Sequence, residues 1–229
     1  KSNSAVENYI IKSAGTAALN NEDILAVGVA FEKNAFVPEV ADYSFYANDA
    51  DGELDISPLW SYSDYSNHDV YAETKQTKEL VITQPYVENG RNMISVSYPI
   101  IYQEEFKGVV IVDIAVDNFS KIDSTSEDYE SLSYEVVSSQ YIVAYHSLGS
   151  EYIGTNLKDT FKKESQFSEV EENSETGEPF QINMVSSKGI KQQQFYYPIT
   201  LDNTTWYSIT TVNARDVLAA ANTTYLLLG

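Results

Sequence analysis

The chain is 229 residues long, 43% hydrophobic, and carries 14 lysines and arginines against 34 aspartates and glutamates, for a net charge of −20. This balance argues against nucleic acid as a partner, because its binders need clustered cations to neutralise phosphate. Cysteine is absent, which excludes disulfides, thiolate nucleophiles and cysteine-ligated metals.

The apolar content suffices for one large domain or two small ones. No window approaches the roughly 18 uninterrupted apolar residues of a membrane span, and no basic segment followed by an apolar core and a small-residue cleavage site opens the chain. Tyr225-Leu226-Leu227-Leu228-Gly229 reads either as the start of an apolar stretch belonging to a longer protein or as a last helical turn packed on the core.

In chain order, residues 1–20 place Val6, Tyr9/Ile10, Ala14 and Ala17/Ala18 at helical spacing and predict one amphipathic helix. Ile24 to Phe31 is a short apolar run suited to a buried strand, and Tyr43 to Tyr46 predicts another, ended by turn chemistry at Asn48-Asp49-Ala50-Asp51-Gly52. An aromatic-rich irregular segment follows between Pro58 and Tyr71. Ala72 to Lys78 has helical composition, and Leu80 to Thr83 returns to strand. Asn89-Gly90 predicts a hairpin, after which Met93–Tyr98 alternates and Gly108–Ile114 forms a nearly continuous β-branched strand. The Ser/Thr/Asp/Glu-rich stretch Ile122–Ser133 marks a module boundary. Beyond it, strands are predicted at 134–137, 141–145, 180–185, 192–197 and 206–212, with a helix over 158–172. Asn213-Ala214-Arg215-Asp216 has the pattern of an N-cap with an acidic residue three positions on, opening a C-terminal helix. Strands grouped apart from helices indicate an α+β fold with two antiparallel sheets.

Four phrases in order carry a family resemblance. They are Gly28-Val29-Ala30-Phe31-Glu32-Lys33-Asn34-Ala35-Phe36; Asp69-Val70-Tyr71 through Pro85-Tyr86; Ser95-Val96-Ser97-Tyr98-Pro99-Ile100 leading to Gly108–Ile114; and Tyr152-Ile153-Gly154-Thr155-Asn156-Leu157. Together they resemble the extracytoplasmic double CACHE (dCACHE) sensor domains of bacterial receptors over nearly the whole chain. The resemblance implies a long N-terminal helix (1–21) descending to a first transmembrane segment, and a larger membrane-distal PAS-like module (22–121) holding the ligand pocket. It further implies a smaller membrane-proximal PAS-like module (122–212) and a C-terminal helix (213–229) leading to a second transmembrane segment. The localisation implied is the cell membrane, with this domain outside the cytoplasm.

Amino-acid-binding members of that family hold the ligand carboxylate with an Arg and a Trp–Tyr pair, and its ammonium with a Tyr-x-Asp step and an Asp ending the last strand. The resemblance puts Tyr71 at the Tyr position, Tyr86 and Glu88 at the Tyr-x-Asp step, and Asp113 at the strand end. Val70 stands where Trp is usual, and His68/Asp69 where the Arg is expected. Without a guanidinium the bidentate carboxylate clamp is lost. The remaining candidates are acidic, polar and aromatic: Asp113, Glu88, Asp69, Ser97, Tyr86, Tyr71, Trp60, Tyr62 and Tyr43. Carboxylate beside aromatic faces suits an amine, a cationic or polar metabolite or a nucleobase-like ring better than a simple α-amino acid; the resemblance also implies an amino-acid-like ligand. Asp113 is the most telling, because an unpaired carboxylate ending an apolar strand is costly.

His68 and His146 are too few and too far apart for a metal signature, and no nucleophile elbow, phosphate loop or dinucleotide fingerprint occurs. Neither an enzyme, a cofactor nor a bound metal is expected. The function expected is small-molecule sensing by a transmembrane receptor of the methyl-accepting chemotaxis type. A histidine kinase or diguanylate cyclase is the alternative output, flanking transmembrane helices are partners, and the full-length receptor is a homodimer. From other classes, the rivals are a secreted carboxylate-dependent hydrolase and a ligand-free structural module.

Overall fold

The computed structural model describes residues 2–50, 53–58, 61–88, 90–116, 119 and 129–219. The chain is α+β and divides into two compact units, Lys1–Thr83 with Met93–Val116, and Gln84–Asn92 with Asp117–Gly229.

The first unit opens with helix α1 (Ser2–Leu19), followed by strands β1 (Ile24–Phe31), β2 (Ser44–Ala50) and β3 (Glu53–Ser57). Short helices α2 (Tyr62–Tyr65) and α3 (Asp69–Thr77) precede β4 (Val81–Ile82), and β5 (Tyr86–Glu88) leads through Gly90, at φ 75°, into β6 (Arg91–Tyr102). β7 (Glu105–Ala115) completes an antiparallel sheet of order β3-β2-β1-β7-β6-β4. The register pairs Ala26, Gly28 and Ala30 of β1 with Asp113, Ile111 and Val109 of β7. Directly paired residues share a face, so strand parity decides what each side of the sheet carries.

The odd-numbered face of β1 is apolar. Val27, Val29 and Phe31, with Phe45 and Ala47 of β2, are buried against Ala14 and Ala18 of α1. These two alanines lie four residues apart on one helix face, and their small side chains let the helix lie close to the sheet. Contacts of α1 fall on β1, β2 and β3 within this unit.

Two stretches depart from the sequence expectation. Asn48–Ala50, read as turn, continues β2, because Ala50 pairs with Glu53; Asp51 and Gly52 lie outside the described residues. The β6–β7 hairpin turns on Gln103 and Glu104, at φ 52° and 65°, with no glycine to announce it.

The second unit contains β8 (Ser133–Val137), β9 (Val143–His146), two 3-10 turns (Ser150–Tyr152 and Leu157–Thr160), α4 (Glu164–Ser174), β10 (Phe180–Val185), β11 (Lys191–Leu201) and β12 (Thr204–Asn213). Its sheet order is β10-β11-β12-β8-β9. Phe167 and Val170 of α4 bury against Ile182, Met184, Tyr196, Tyr207 and Ile209, and Phe180 stacks on Tyr196 at 4.4 Å. α4 begins at Glu164 and not at Lys158, because Asn156 accepts a hydrogen bond from the Lys158 N–H and caps a 3-10 turn there.

Residues 214–219 are helical, as the 213–216 pattern predicts. The capping runs through a different residue: the Ser131 hydroxyl accepts from the Asn213 N–H, and Asp216 accepts from the Ser131 N–H. No helix among the described residues is long and apolar enough to cross a membrane. Residues 122–128 of the expected boundary and the Tyr225–Gly229 stretch lie outside the described residues.

Candidate ligand-binding site

Past the register shift between Ile24 and Ala26, the even-numbered face of β1 carries only Ala26, Gly28 and Ala30, and its β7 and β6 neighbours on that face include Asp113, Ser95 and Ser97. Small side chains in the centre of a sheet leave depth above it, and α2 and α3 pack over the Ala30–Val109 end of this face. At the Ala30–Val109 end the depth is filled by Tyr65 and Tyr71, both buried, with Tyr62, Phe106 and Ile111 packed around them. Tyr71 is 0% exposed, its ring 5.4 Å from that of Tyr65 and 5.6 Å from that of Phe106. The Tyr65 hydroxyl donates to the Phe31 carbonyl at 2.6 Å.

At the Ala26–Asp113 end the face is polar. Asp113 is 5% exposed, and its carboxylate accepts a hydrogen bond from the Ser95 hydroxyl at 2.5 Å. Burial pushes Asp113 up to about 7, so near neutral pH it moves between a neutral acid and a carboxylate. Ser97, 0% exposed, has a hydroxyl with no hydrogen-bond partner among the described residues. Buried hydroxyls are normally satisfied, so this polar row on an otherwise apolar strand is the sort of lining that ligand sites use.

Glu32, just past β1, organises the covering helices. Its carboxylate accepts from the Tyr71 hydroxyl at 2.7 Å and from the Tyr62 hydroxyl at 2.9 Å, and pairs with the Lys75 ammonium at 2.8 Å. Burial acts to raise Glu32, but bonds from Lys75, Tyr71 and Tyr62 outweigh it and hold the carboxyl below its usual value. The same contacts tie both α2 and α3 to the end of β1. Burial, then the Glu32 carboxylate, raises the Tyr71 hydroxyl far above the ordinary tyrosine value, so it stays a hydrogen-bond donor.

The nine residues singled out from the sequence are therefore spread over several places. Asp113, Ser97, Tyr71 and Tyr62 belong to the even face of the first sheet or the helices covering it. Tyr43 does not join them. It packs with Phe31 and Phe36 on the α1 face, stacked on Phe36 at 4.0 Å, and donates to Glu7 at 3.0 Å. Asp69 is exposed in the first turn of α3, where a negative charge suits the helix N-terminus. Tyr86 is half-buried and Glu88 exposed on β5, within the 84–92 segment that groups with the second unit. Trp60 lies outside the described residues.

Three residues that the sequence reading left without a role, Glu32, Lys75 and Ser95, are central to this geometry. Ser95 was detectable: two serines at period two on the core face of an apolar strand signal a lined surface. Glu32 and Lys75 meet only through the fold.

Residues 11–121 match the family described as methyl-accepting chemotaxis protein-like, first PDC sensor domain. A search of curated proteins gives no match. Among solved structures, the extracellular domain mmHK1S-Z3, ascribed to a histidine kinase, is similar with a TM-score of 0.79 at 21% identity, over 94% of this chain and 82% of that one. The periplasmic sensory domain of the Campylobacter jejuni chemoreceptor Tlp1 gives 0.70 at 15% identity, over 94% and 80%. The ligand-binding domain of the Pseudomonas aeruginosa PAO1 amino acid chemoreceptor PctB, in complex with L-Gln, gives 0.57 at 15% identity, over 91% and 82%. Residues 11–121 are thus similar to the first PDC sensor domain of methyl-accepting chemotaxis protein-like proteins, and the chain shares its two-module fold with extracellular sensor domains of chemoreceptors and histidine kinases.

Proposed function

We propose that this chain is the extracytoplasmic ligand-binding domain of a transmembrane receptor, a chemoreceptor in the first reading and a histidine kinase in the second. Residues 22–121 form the membrane-distal module that takes the ligand, 122–212 the membrane-proximal module, and 213–229 the segment that leads toward the membrane. The receptor works as a homodimer. Binding rather than turnover is its task, and the ligand is a small molecule bearing an ammonium or similar cation, an amine or an amino-acid-like metabolite. PctB, a neighbour in fold, is seen with L-Gln.

One observation carries this reading: Asp113, buried in the sheet and bonded within the protein to Ser95. A carboxylate that is costly when ionised and unpaired gains most from a cation brought to it. Ligand then favours the packing of α2 and α3 in which that pair is closed, and the shift in populations is the signal.

A thermal-shift screen of amines, amino acids, nucleobases and carboxylic acids at pH 8 tests the proposal. A ligand at a hundredfold excess over its Kd raises stability by roughly 2.7 kcal/mol. The best stabiliser is expected to be cationic or zwitterionic. Because its partner must be ionised, affinity for it should fall about tenfold from pH 8 to pH 6, following the ionised fraction of a group with a midpoint near 7. Stabilisation by simple carboxylic acids alone, or affinity that does not change with pH, would count against Asp113 as the anchor.

A further inference from the structure

The second unit contains a buried acid that ligand binding in the first unit does not use. Glu135 lies in the middle of β8, paired with Ile209 of β12 on one side and His146 of β9 on the other. It is 4% exposed, and its Oε2 makes no hydrogen bond among the described residues. Facing it is His146, whose Nε2 stands 4.0 Å from that oxygen, beyond hydrogen-bond reach.

The state of the histidine ring follows from its other nitrogen. The Leu148 N–H donates to His146 Nδ1 at 3.1 Å, so Nδ1 presents a lone pair and the ring proton sits on Nε2, facing Glu135. A doubly protonated ring would lose the Leu148 bond. Burial also holds the ring below its usual value, against the pull of Glu151. The ring is fixed in place by stacking on Tyr152 at 4.2 Å. Around Glu135, β11 contributes Tyr196, whose hydroxyl is committed to Gln194 Oε1 at 2.7 Å, and Tyr141 stands beyond it, edge-on to Phe167. β12 offers Ile209 and Thr211, and α4 the apolar Phe167 and Val170. No lysine or arginine faces the acid among these.

With its proton, the acid and the ring are two neutral groups held apart. Without it, the buried carboxylate has His146 Nε2–H as the donor facing its Oε2 among the described residues, and shortening the gap by about 1 Å makes the bond. We propose that Glu135 is a proton-binding site of the second unit, with His146 as its responding partner: release of the proton to solvent draws the Glu135 carboxylate and the His146 ring together across the β8–β9 pair, beside the strand that runs directly into the 214–219 helix. The element therefore reads external pH in the strand pair next to β12, in addition to any ligand read in the first unit.

Burial pushes Glu135 up to about 7, which places the transition near neutral pH. Carboxyl NMR on the domain labelled with 13C only in its glutamates, with 15N-labelled histidine, tests the site and does not register Asp113. One glutamate carboxyl is expected to titrate near pH 7, where an ordinary glutamate titrates near ~4.3. The His146 nitrogens should shift with the same midpoint while Nδ1 stays unprotonated. In Glu135→Gln both features should vanish. If that variant fails to fold, the wild-type titration decides alone: every glutamate titrating in the ordinary carboxylate range overturns the proposal. An unchanged His146 profile in a folded Glu135→Gln variant does so as well.

Discussion

Asparagine in place of Asp113 is expected to make the free domain more stable at pH 8 by about 2–4 kcal/mol, a gain that shrinks as the pH falls and is gone below about pH 4. The folded-state value of Asp113 is raised to about 7 by burial, against an unfolded value near ~3.9. A raised acid contributes stability that is fully present below the unfolded value and is lost as the pH rises through the folded one. Wild type therefore loses, between about pH 4 and pH 8, a contribution that the amide, which cannot ionise, keeps; the loss from Glu135 is common to both proteins and drops out of the difference. The amide oxygen can still accept the Ser95 hydroxyl, so little packing changes. The same substitution removes the charge that an ammonium needs, so stability and ligand affinity should move in opposite directions, as expected where a site is kept at a cost to the fold. Urea unfolding of both proteins at pH 4, 6 and 8 measures the difference. Parallel stability profiles would mean that Asp113 is not a strained acid.

Gly108→Ala is expected to destabilise the first unit by about 2–5 kcal/mol. Gly108 sits where β7 pairs with both Phe31 of β1 and Ile100 of β6, at φ 151°, in a region side-chain-bearing residues rarely adopt. A methyl group there would lie 2.7 Å from the Phe31 Cα and closer still to the Ala30 carbonyl oxygen. Both are backbone atoms and cannot swing aside. The cost combines roughly 1–2 kcal/mol of backbone strain with about 1–3 kcal/mol of overpacking. Gly90→Ala is the control. It also has positive φ, 75°, but nothing lies within 4 Å of the added carbon, so only the smaller conformational cost of about 1 kcal/mol applies. Chemical denaturation separates the two, and equal losses would show that the β1–β7 approach at Phe31 is not tight.

The strands easiest to read in the sequence are those whose side chains decide their own burial. The runs Ile24–Phe31 and Gly108–Ile114 are apolar or β-branched nearly throughout and become the two central strands of the first sheet. Asn48–Ala50 is not legible in this way, since its turn-forming residues are held extended only by pairing with Ala26 on one side and Glu53–Asp55 on the other. α3 begins at Asp69, three residues before its composition becomes helical, and its cap His68 gives no side-chain hydrogen bond that would mark the start. In the site, the burial of Asp113 follows from its place in an apolar strand, and Ser97 shares its face by parity. Parity also decides Tyr43: it counts with Phe45 and Ala47 toward α1, and a shift of one residue would have put it on the other face. The Glu32–Lys75–Tyr71–Tyr62 cluster joins residues up to 43 positions apart in sequence, at distances that only the tertiary fold sets.

A crystal structure of the domain with the strongest stabiliser from the screen shows whether the first unit holds a small cationic or zwitterionic ligand on the sheet face bearing Asp113. The ligand is expected above Ala26 and Gly28, with its cationic nitrogen within hydrogen-bond distance of the Asp113 carboxylate and a polar atom on the Ser97 hydroxyl. A ligand bound on the α1 face, or in the second unit with Asp113 still bonded only to Ser95, would contradict it.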